Sequence, residues 1–165
     1  MKDIYELLAS LQINYRRHDH PPVFTVEEAD RHKGAIAGGQ SKNLFLRNKK
    51  GQRHYLLVAE AHRPVSLKSL QTLLGESTLS FASPERLMKY LGLTPGSVSP
   101  FGIVNDERRE VVVLLDRALM AHTQLNFHPN VNTATLTVSR EDFQRFLEHC
   151  GNEVRTLALP TEGAT

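Results

Sequence analysis

The sequence predicts an α/β chain of the α+β kind: one domain with a mixed, mostly antiparallel sheet, or a partly open barrel, surrounded by helices. Three observations carry this. Apolar runs of strand length recur at 41–47, 54–60, 111–116, 125–127 and 133–138. Helical segments opened by serine alternate with them irregularly, with turn signals between, which speaks against a doubly wound parallel sheet. Finally, 165 residues with 40% hydrophobic and 23% charged side chains suffice for one core without disulfide or metal staples.

The elements follow in order. Ile4, Leu7, Leu8 and Leu11 fall at helical spacing and open the chain with an amphipathic helix. Tyr15 to His18 reads as a short strand, which Pro21-Pro22 ends. Thr25, with Glu28 three residues on, is a capping box for a second helix, and Gly34 to Gly39 a small-residue loop. Ser41–Arg47 and His54–Glu60 read as strands joined by a turn at Lys49-Lys50-Gly51. Ser66 caps a helix to about Leu74, and Ser83-Pro84 opens another to about Leu91, with proline at its favoured first position. Leu93 to Phe101 is an ordered loop; Gly102–Val104 and Val111–Asp116 are expected to form a hairpin around Asn105-Asp106. Leu125–Phe127 and Thr133–Val138 are further strands, Ser139 caps a last helix ending at Gly151, and Val154–Leu159 is a final strand. The domain is expected to span 1–159, with 160–165 a disordered tail.

Composition excludes several classes of function. No apolar run reaches the ~20 residues of a membrane span. The N-terminus alternates charge with apolar residues, unlike a secretory signal. Cys150 is the only cysteine, so no internal disulfide exists; with no secretory signal, a cytoplasmic location is the expectation. The net charge of +2 permits a nucleic-acid partner without demanding one; basic residues cluster at Arg16-Arg17-His18, at Arg31-His32-Lys33, and at Arg47, Lys49, Lys50 and Arg53. Gly34 to Ser41 approaches a phosphate-binding loop, but Gln40 stands where the lysine belongs, and the segment leads into a strand. His18 and His20 share a strand face, yet no third ligand stands at a metal-site spacing, so no metal is expected. No Gly-x-Ser-x-Gly is present. Cys150, at a helix C-terminus, is expected to be a poor nucleophile because the helix dipole raises its pKa.

Three segments are left that packing explains poorly. In Ser41-Lys42-Asn43-Leu44-Phe45-Leu46-Arg47, Lys42 shares a strand face with Leu44 and Leu46. An inward lysine can hold an anionic or carbonyl oxygen; a strand-end lysine reaching back to water is the plainer alternative. In Thr94-Pro95-Gly96-Ser97-Val98-Ser99-Pro100-Phe101-Gly102, prolines stiffen a backbone whose glycines allow close approach of a ligand to N–H donors, unless the loop is merely a connection. Asn126-Phe127-His128-Pro129-Asn130-Val131-Asn132-Thr133-Ala134-Thr135 is too polar for core, although Asn130 and Asn132 also suit turn capping.

Together these segments resemble the YbaK/ProX family of prolyl-tRNA editing domains. Lys42-Asn43-Leu44-Phe45-Leu46 is similar to the family's lysine strand, and Gly96-Ser97-Val98-Ser99-Pro100 to its Gly-x-x-x-Pro loop. Phe127-His128-Pro129 with Asn132-Thr133-Ala134-Thr135, and His20-Pro21-Pro22-Val23-Phe24-Thr25, are similar to motifs of the alanine-specific branch. The resemblance spans roughly residues 1–159. It implies a cofactor-free, metal-free hydrolase of the ester between a misplaced amino acid and the terminal adenosine of proline tRNA. In this reading Lys42 and the backbone at Gly96 and Gly102 are catalytic, while Asn43, Pro100, Phe101, His128 and Pro129 bind substrate. The expected partners are the acceptor end of mischarged tRNA(Pro) and, transiently, prolyl-tRNA synthetase; a monomer acting in trans is expected. Three other readings remain at this point: a same-family deacylase for cysteine or another small amino acid, a tRNA- or synthetase-binding module without chemistry, and a soluble α/β domain with no ligand at these segments.

Overall fold

The computed structural model describes residues 2–22 and 38–159. The expected capping box at Thr25 and Glu28, most of the Gly34–Gly39 loop and the 160–165 tail lie outside the described residues. Among the described residues, four α-helices, α1 (Ile4–Ser10), α2 (Leu67–Leu74), α3 (Pro84–Leu91) and α4 (Arg140–Cys150), pack around eight strands: β1 (Arg16–Asp19), β2 (Gly39–Asn48), β3 (His54–Glu60), β4 (Leu79–Phe81), β5 (Val111–Asp116), β6 (Gln124–Phe127), β7 (Ala134–Ser139) and β8 (Val154–Leu157). They form one mixed sheet in the order β1-β7-β6-β2-β3-β5-β8, with β4 added to β2. Its end strands β1 and β8 do not pair with each other, so the sheet is open, as the sequence predicts as one of its two forms.

Serine caps set the helix starts. The hydroxyls of Ser66, Ser83 and Ser139 accept the amides of Ser69, Arg86 and Asp142, satisfying donors the first turn leaves without helical partners. Gly75, Gly92 and Gly151 close the same helices in the left-handed conformation.

The sheet separates two apolar clusters. The larger takes Phe45, Leu56, Val58, Val113, Leu115, Leu125, Phe127, Leu136 and Val138, and α1, α3 and α4 cover it with Leu8, Leu91, Phe143 and Phe146. The smaller lies on the opposite face, where Leu46, Tyr55, Leu57, Ala59 and Leu114 meet Leu70 of α2. Consecutive side chains on a strand point to opposite faces, so this division assigns every strand residue a side.

The expected hairpin does not form. Residues Pro100–Asn105 are a 3-10 helix, started by Pro100 and capped by Ser99, whose hydroxyl accepts the Phe101 amide at 3.1 Å. Beyond it, the buried Asp106 carboxylate accepts the amides of Glu110 and Val111 and the Asn152 side chain, turning the chain into β5. β5 then runs parallel to both β3 and β8. A strand apolar on both faces suits this central parallel place better than a hairpin arm. The three-residue β4 was not expected either; it pairs with the far end of β2.

Candidate active site

The site lies where one edge of β2 loses its partners. β2 and β6 pair in parallel only at Gly39 with Leu125 and Gln40 with Asn126. Further along the same strand, β4 covers Leu46 to Asn48. Among the described strands, none pairs with that edge between these two stretches. Extending the β2–β6 register would set Lys42 opposite His128 and Asn43 opposite Pro129. Instead the Ser41 hydroxyl donates to the Asn126 carbonyl at 2.8 Å where the ladder stops.

Lys42 stands opposite Ala59 on β3, on the face of the smaller cluster, as its alternation with Leu44 and Leu46 predicts. It is half-buried, and its ammonium donates to the Arg63 carbonyl at 2.5 Å. Burial pushes its pKa down, and the Glu60 and Asp116 carboxylates oppose that shift. Asn43, one residue on, faces the other way, opposite Val58. Its Oδ1 is buried without a hydrogen-bond partner. A buried amide oxygen left so costs about 1–3 kcal/mol and calls for a donor. Lys42 and Asn43 thus flank the opening from its two faces rather than lining one wall together.

His128 follows β6. Its Nδ1 donates to the Ala134 carbonyl at 3.0 Å, which in the neutral ring leaves Nε2 as the basic atom. Its own carbonyl accepts the Ser99 hydroxyl at 2.5 Å, so the loop before the 3-10 helix is tied directly to the His-Pro segment. Pro129 is buried. Asn130 adopts φ +64°, taking the turn role that competes with a site role for this residue.

The loop candidates divide. Gly96 has φ +89° and follows Pro95 in a turn closed by the Ser97 amide on the Thr94 carbonyl at 3.1 Å. Proline then glycine at the centre, with positive φ at the glycine, is a type II turn. Pro100 is buried at the start of the 3-10 helix. Phe101 is a core residue, edge-on to Phe127 and Phe146 with centroids 5.7 and 5.1 Å away, so the structure gives it a supporting place behind the site. Gly102 donates its N–H to the Ser99 carbonyl at 3.0 Å, and a Cβ there would lie 2.6 Å from Leu93 Cδ1. Helix and packing account for this glycine, and its N–H is engaged with Ser99 inside the 3-10 helix.

Two groups to which the sequence assigns no catalytic or substrate-binding role lie beside the candidates. The His20 ring lies edge-on to His128 at 6.2 Å and its Nε2 pairs with the buried Thr135 hydroxyl at 2.9 Å. The His-Pro-Pro motif was the available signal. The second group is Asp116 with Arg63, behind Lys42. An aspartate closing an apolar strand reads only as a stop signal.

Among the described residues no group of three or more His, Cys, Asp or Glu side chains is placed to hold a metal ion. No helix there is long and apolar enough to cross a membrane. A cleft of about 820 Å³ opens elsewhere, lined by Lys2, Glu6, Ile103, Asp106 and Cys150 among others, and contains none of the candidate residues. Burial pushes the Cys150 thiol up to about 11, so a thiolate is disfavoured there chiefly by desolvation rather than by the helix dipole alone.

Residues 20–146 match the family model described as the aminoacyl-tRNA editing domain. The chain is 44% identical over 152 residues to the prolyl-tRNA editing protein ProX of Acetoanaerobium sticklandii, covering 92% of this chain and 93% of that protein. It is 38% identical over 149 residues to prolyl-tRNA synthetase associated domain-containing protein 1 of Danio rerio, covering 89% and 80%. A solved structure of a candidate trans-editing enzyme for prolyl tRNA synthetase shares the fold, with a TM-score of 0.69, 20% identity and coverage of 97% and 99%. The segments singled out by chemistry, the lysine strand, the glycine loop from Gly96 and the His128-Pro129 stretch, all fall inside the matched region, and the chain belongs to the family of aminoacyl-tRNA editing domains.

Proposed function

We propose that this protein is a trans-acting aminoacyl-tRNA deacylase that hydrolyses mischarged Ala-tRNA(Pro) and spares Pro-tRNA(Pro). The observation that carries the reading is the interrupted edge of β2, which leaves Lys42 and Asn43 across from the tethered His128-Pro129 segment. The similarity to a prolyl-tRNA editing protein along nearly the whole chain supports the tRNA and the ester as substrate class. Editing is needed because a synthetase pocket built for proline cannot strongly reject a smaller side chain; a missing methylene is worth only about 1–3 kcal/mol. The editing site then applies the opposite filter and excludes the larger proline.

In this mechanism the Lys42 ammonium leaves the Arg63 carbonyl to hold the ester carbonyl or the terminal phosphate. Backbone N–H groups around Gly96 stabilise the oxyanion that forms as water adds; one such donor is worth about 10²–10³ in rate. As the water adds, its proton passes to the leaving ribose oxygen, either relayed through the neighbouring ribose hydroxyl, which gives up its own proton as it takes the water's, or carried by His128 Nε2, which takes it as base and returns it as acid when the ester breaks. Asn43 Oδ1 accepts a donor from the aminoacyl end, and His128 with Pro129 limits the volume available to the side chain. Prolyl-tRNA synthetase is the partner expected to release the mischarged tRNA.

The test is loss of labelled amino acid from Ala-tRNA(Pro) and Pro-tRNA(Pro), with purified protein and excess chelator. Release of alanine with proline retained is the expected result. Release of cysteine but not alanine would move the specificity within the family, and tRNA binding with no release of any small amino acid would refute the enzymatic reading.

A further inference from the structure

We propose that Asp116 is a positioning residue for Lys42, acting through the turn at residues 60–63; the inference rests on the role given to Lys42 above. Asp116 closes β5 and is fully buried. Its Oδ2 accepts the Glu60 amide at 2.9 Å and its Oδ1 the Ala118 amide at 3.0 Å. The Arg63 guanidinium pairs with the same carboxylate, Nε 3.6 Å from Oδ2, and also donates to the Leu159 carbonyl at 3.2 Å. A buried carboxylate persists only when so satisfied. One anion therefore fixes both the first residue of the turn, by its amide, and the last, by its side chain. The turn's product is the Arg63 carbonyl, which receives the Lys42 ammonium.

The sheet register supports the link independently. Lys42 lies opposite Ala59, and the β3–β5 register, with Val58 opposite Leu115, sets Ala59 opposite Asp116. Cation, small residue and anion thus occupy one row across three strands, on one face. Ala59 is fully buried, and its single methyl keeps the space between the two charged groups open. The charged groups around Lys42 are Glu60 at the end of β3, Asp116 at the end of β5 and Arg63 in the turn; His62, in the same turn, is exposed. The two carboxylates favour the ammonium form, so losing one moves the lysine's deprotonation to lower pH. A carboxylate that merely clasped the strand end would affect stability and leave the deacylation rate of the folded enzyme and its alkaline limb unchanged.

The experiment compares wild type with Asp116→Asn, which keeps the size and one acceptor but removes the charge. Lys42 is followed through its ¹³Cε resonance, identified by its loss in Lys42→Ala, and deacylation of Ala-tRNA(Pro) is measured across the alkaline range. The expected result is a folded variant in which Lys42 titrates at lower pH. The alkaline limb of kcat/KM should move with it, and deacylation at neutral pH should fall about tenfold or more, since misplacing one group by about 1 Å costs up to 10². Arg63→Ala, which leaves the carbonyl and the buried carboxylate in place, is the second variant; its Lys42 resonance and its rate should both change. A folded Asp116→Asn with wild-type Lys42 titration, or an Arg63→Ala protein with both readouts unchanged, overturns the proposal. The titration needs no substrate, so a wild type that fails to deacylate sinks the functional reading while the link from Asp116 to Lys42 is still decided.

Discussion

Three residues differ in what their substitution tests. Lys42 donates a hydrogen bond to a turn carbonyl and is only half-buried. Lys42→Ala should therefore leave the melting temperature within a few degrees of wild type while deacylation of Ala-tRNA(Pro) falls by about 10²–10³. Near-normal turnover in that variant would remove the lysine from the mechanism. The two glycines make a sharper contrast. Gly96→Ala places a side chain at φ +89°, a cost of about 1–2 kcal/mol borne by a surface turn next to the proposed oxyanion site. Gly102→Ala drives a methyl into Leu93, an overpacking of about 1–3 kcal/mol in the core. The expected ordering is opposite on the two axes: Gly102→Ala loses more stability in a denaturant titration, and Gly96→Ala loses more kcat/KM at a temperature where both are folded. An equal loss of activity would mean that the Gly96 backbone has no special place in the chemistry.

At the scale of the element, β3 opens with a histidine whose protonation sets a pH limit. His54 is 1% exposed, its ring centroid is 4.1 Å from that of Tyr90 and 5.6 Å from that of Phe45, and Arg86 donates to its Nε2 at 3.1 Å. Burial first, then Arg86, Arg47 and Lys89, lower its pKa to about 4. The unfolded chain takes up this proton near pH 6.5 and the folded chain only near 4, so stability falls as pH drops through that window. The contribution lost between pH 7 and pH 5 is about 2 kcal/mol. His54→Gln should flatten that part of the stability profile, and an unchanged slope would place the acid sensitivity elsewhere. How far the elements were legible follows the range of the forces that make them. Ser66, Ser83 and Ser139 announce their helices because a cap is a contact across three residues. β4 and the place of β5 depend on partners far along the chain, which no local pattern encodes. The site divides the same way. Lys42 stands out as a cation on an otherwise apolar strand and His128 within a segment too polar for core, whereas Asp116 acquires its meaning only when β3 sets it in a row with Ala59 and Lys42.

Over the whole molecule, the sheet is a shared wall between two cores. Leu136 lies in the larger cluster and Leu70 in the smaller, both essentially buried, and they never meet. Yet the strands between them are the same ones: Leu56 and Val58 of β3 face one cluster while Tyr55, Leu57 and Ala59 face the other. β2 divides likewise at Phe45 and Leu46, and it carries Lys42 and Asn43 towards opposite faces. Neither cluster can melt without releasing strands that the other needs, so the two cores and the site should unfold in one transition. Leu70→Ala and Leu136→Ala should each cost about 2–5 kcal/mol, with the spread set by how well each site collapses. In both variants far-ultraviolet circular dichroism and the Lys42 ¹³Cε resonance should report the same denaturant midpoint. A Lys42 signal lost before the main transition in Leu70→Ala, but together with it in Leu136→Ala, would show that the smaller core and the site form a separate unit. Coincident midpoints in both would mean that the geometry around the interrupted edge of β2 is held at the full stability of the fold.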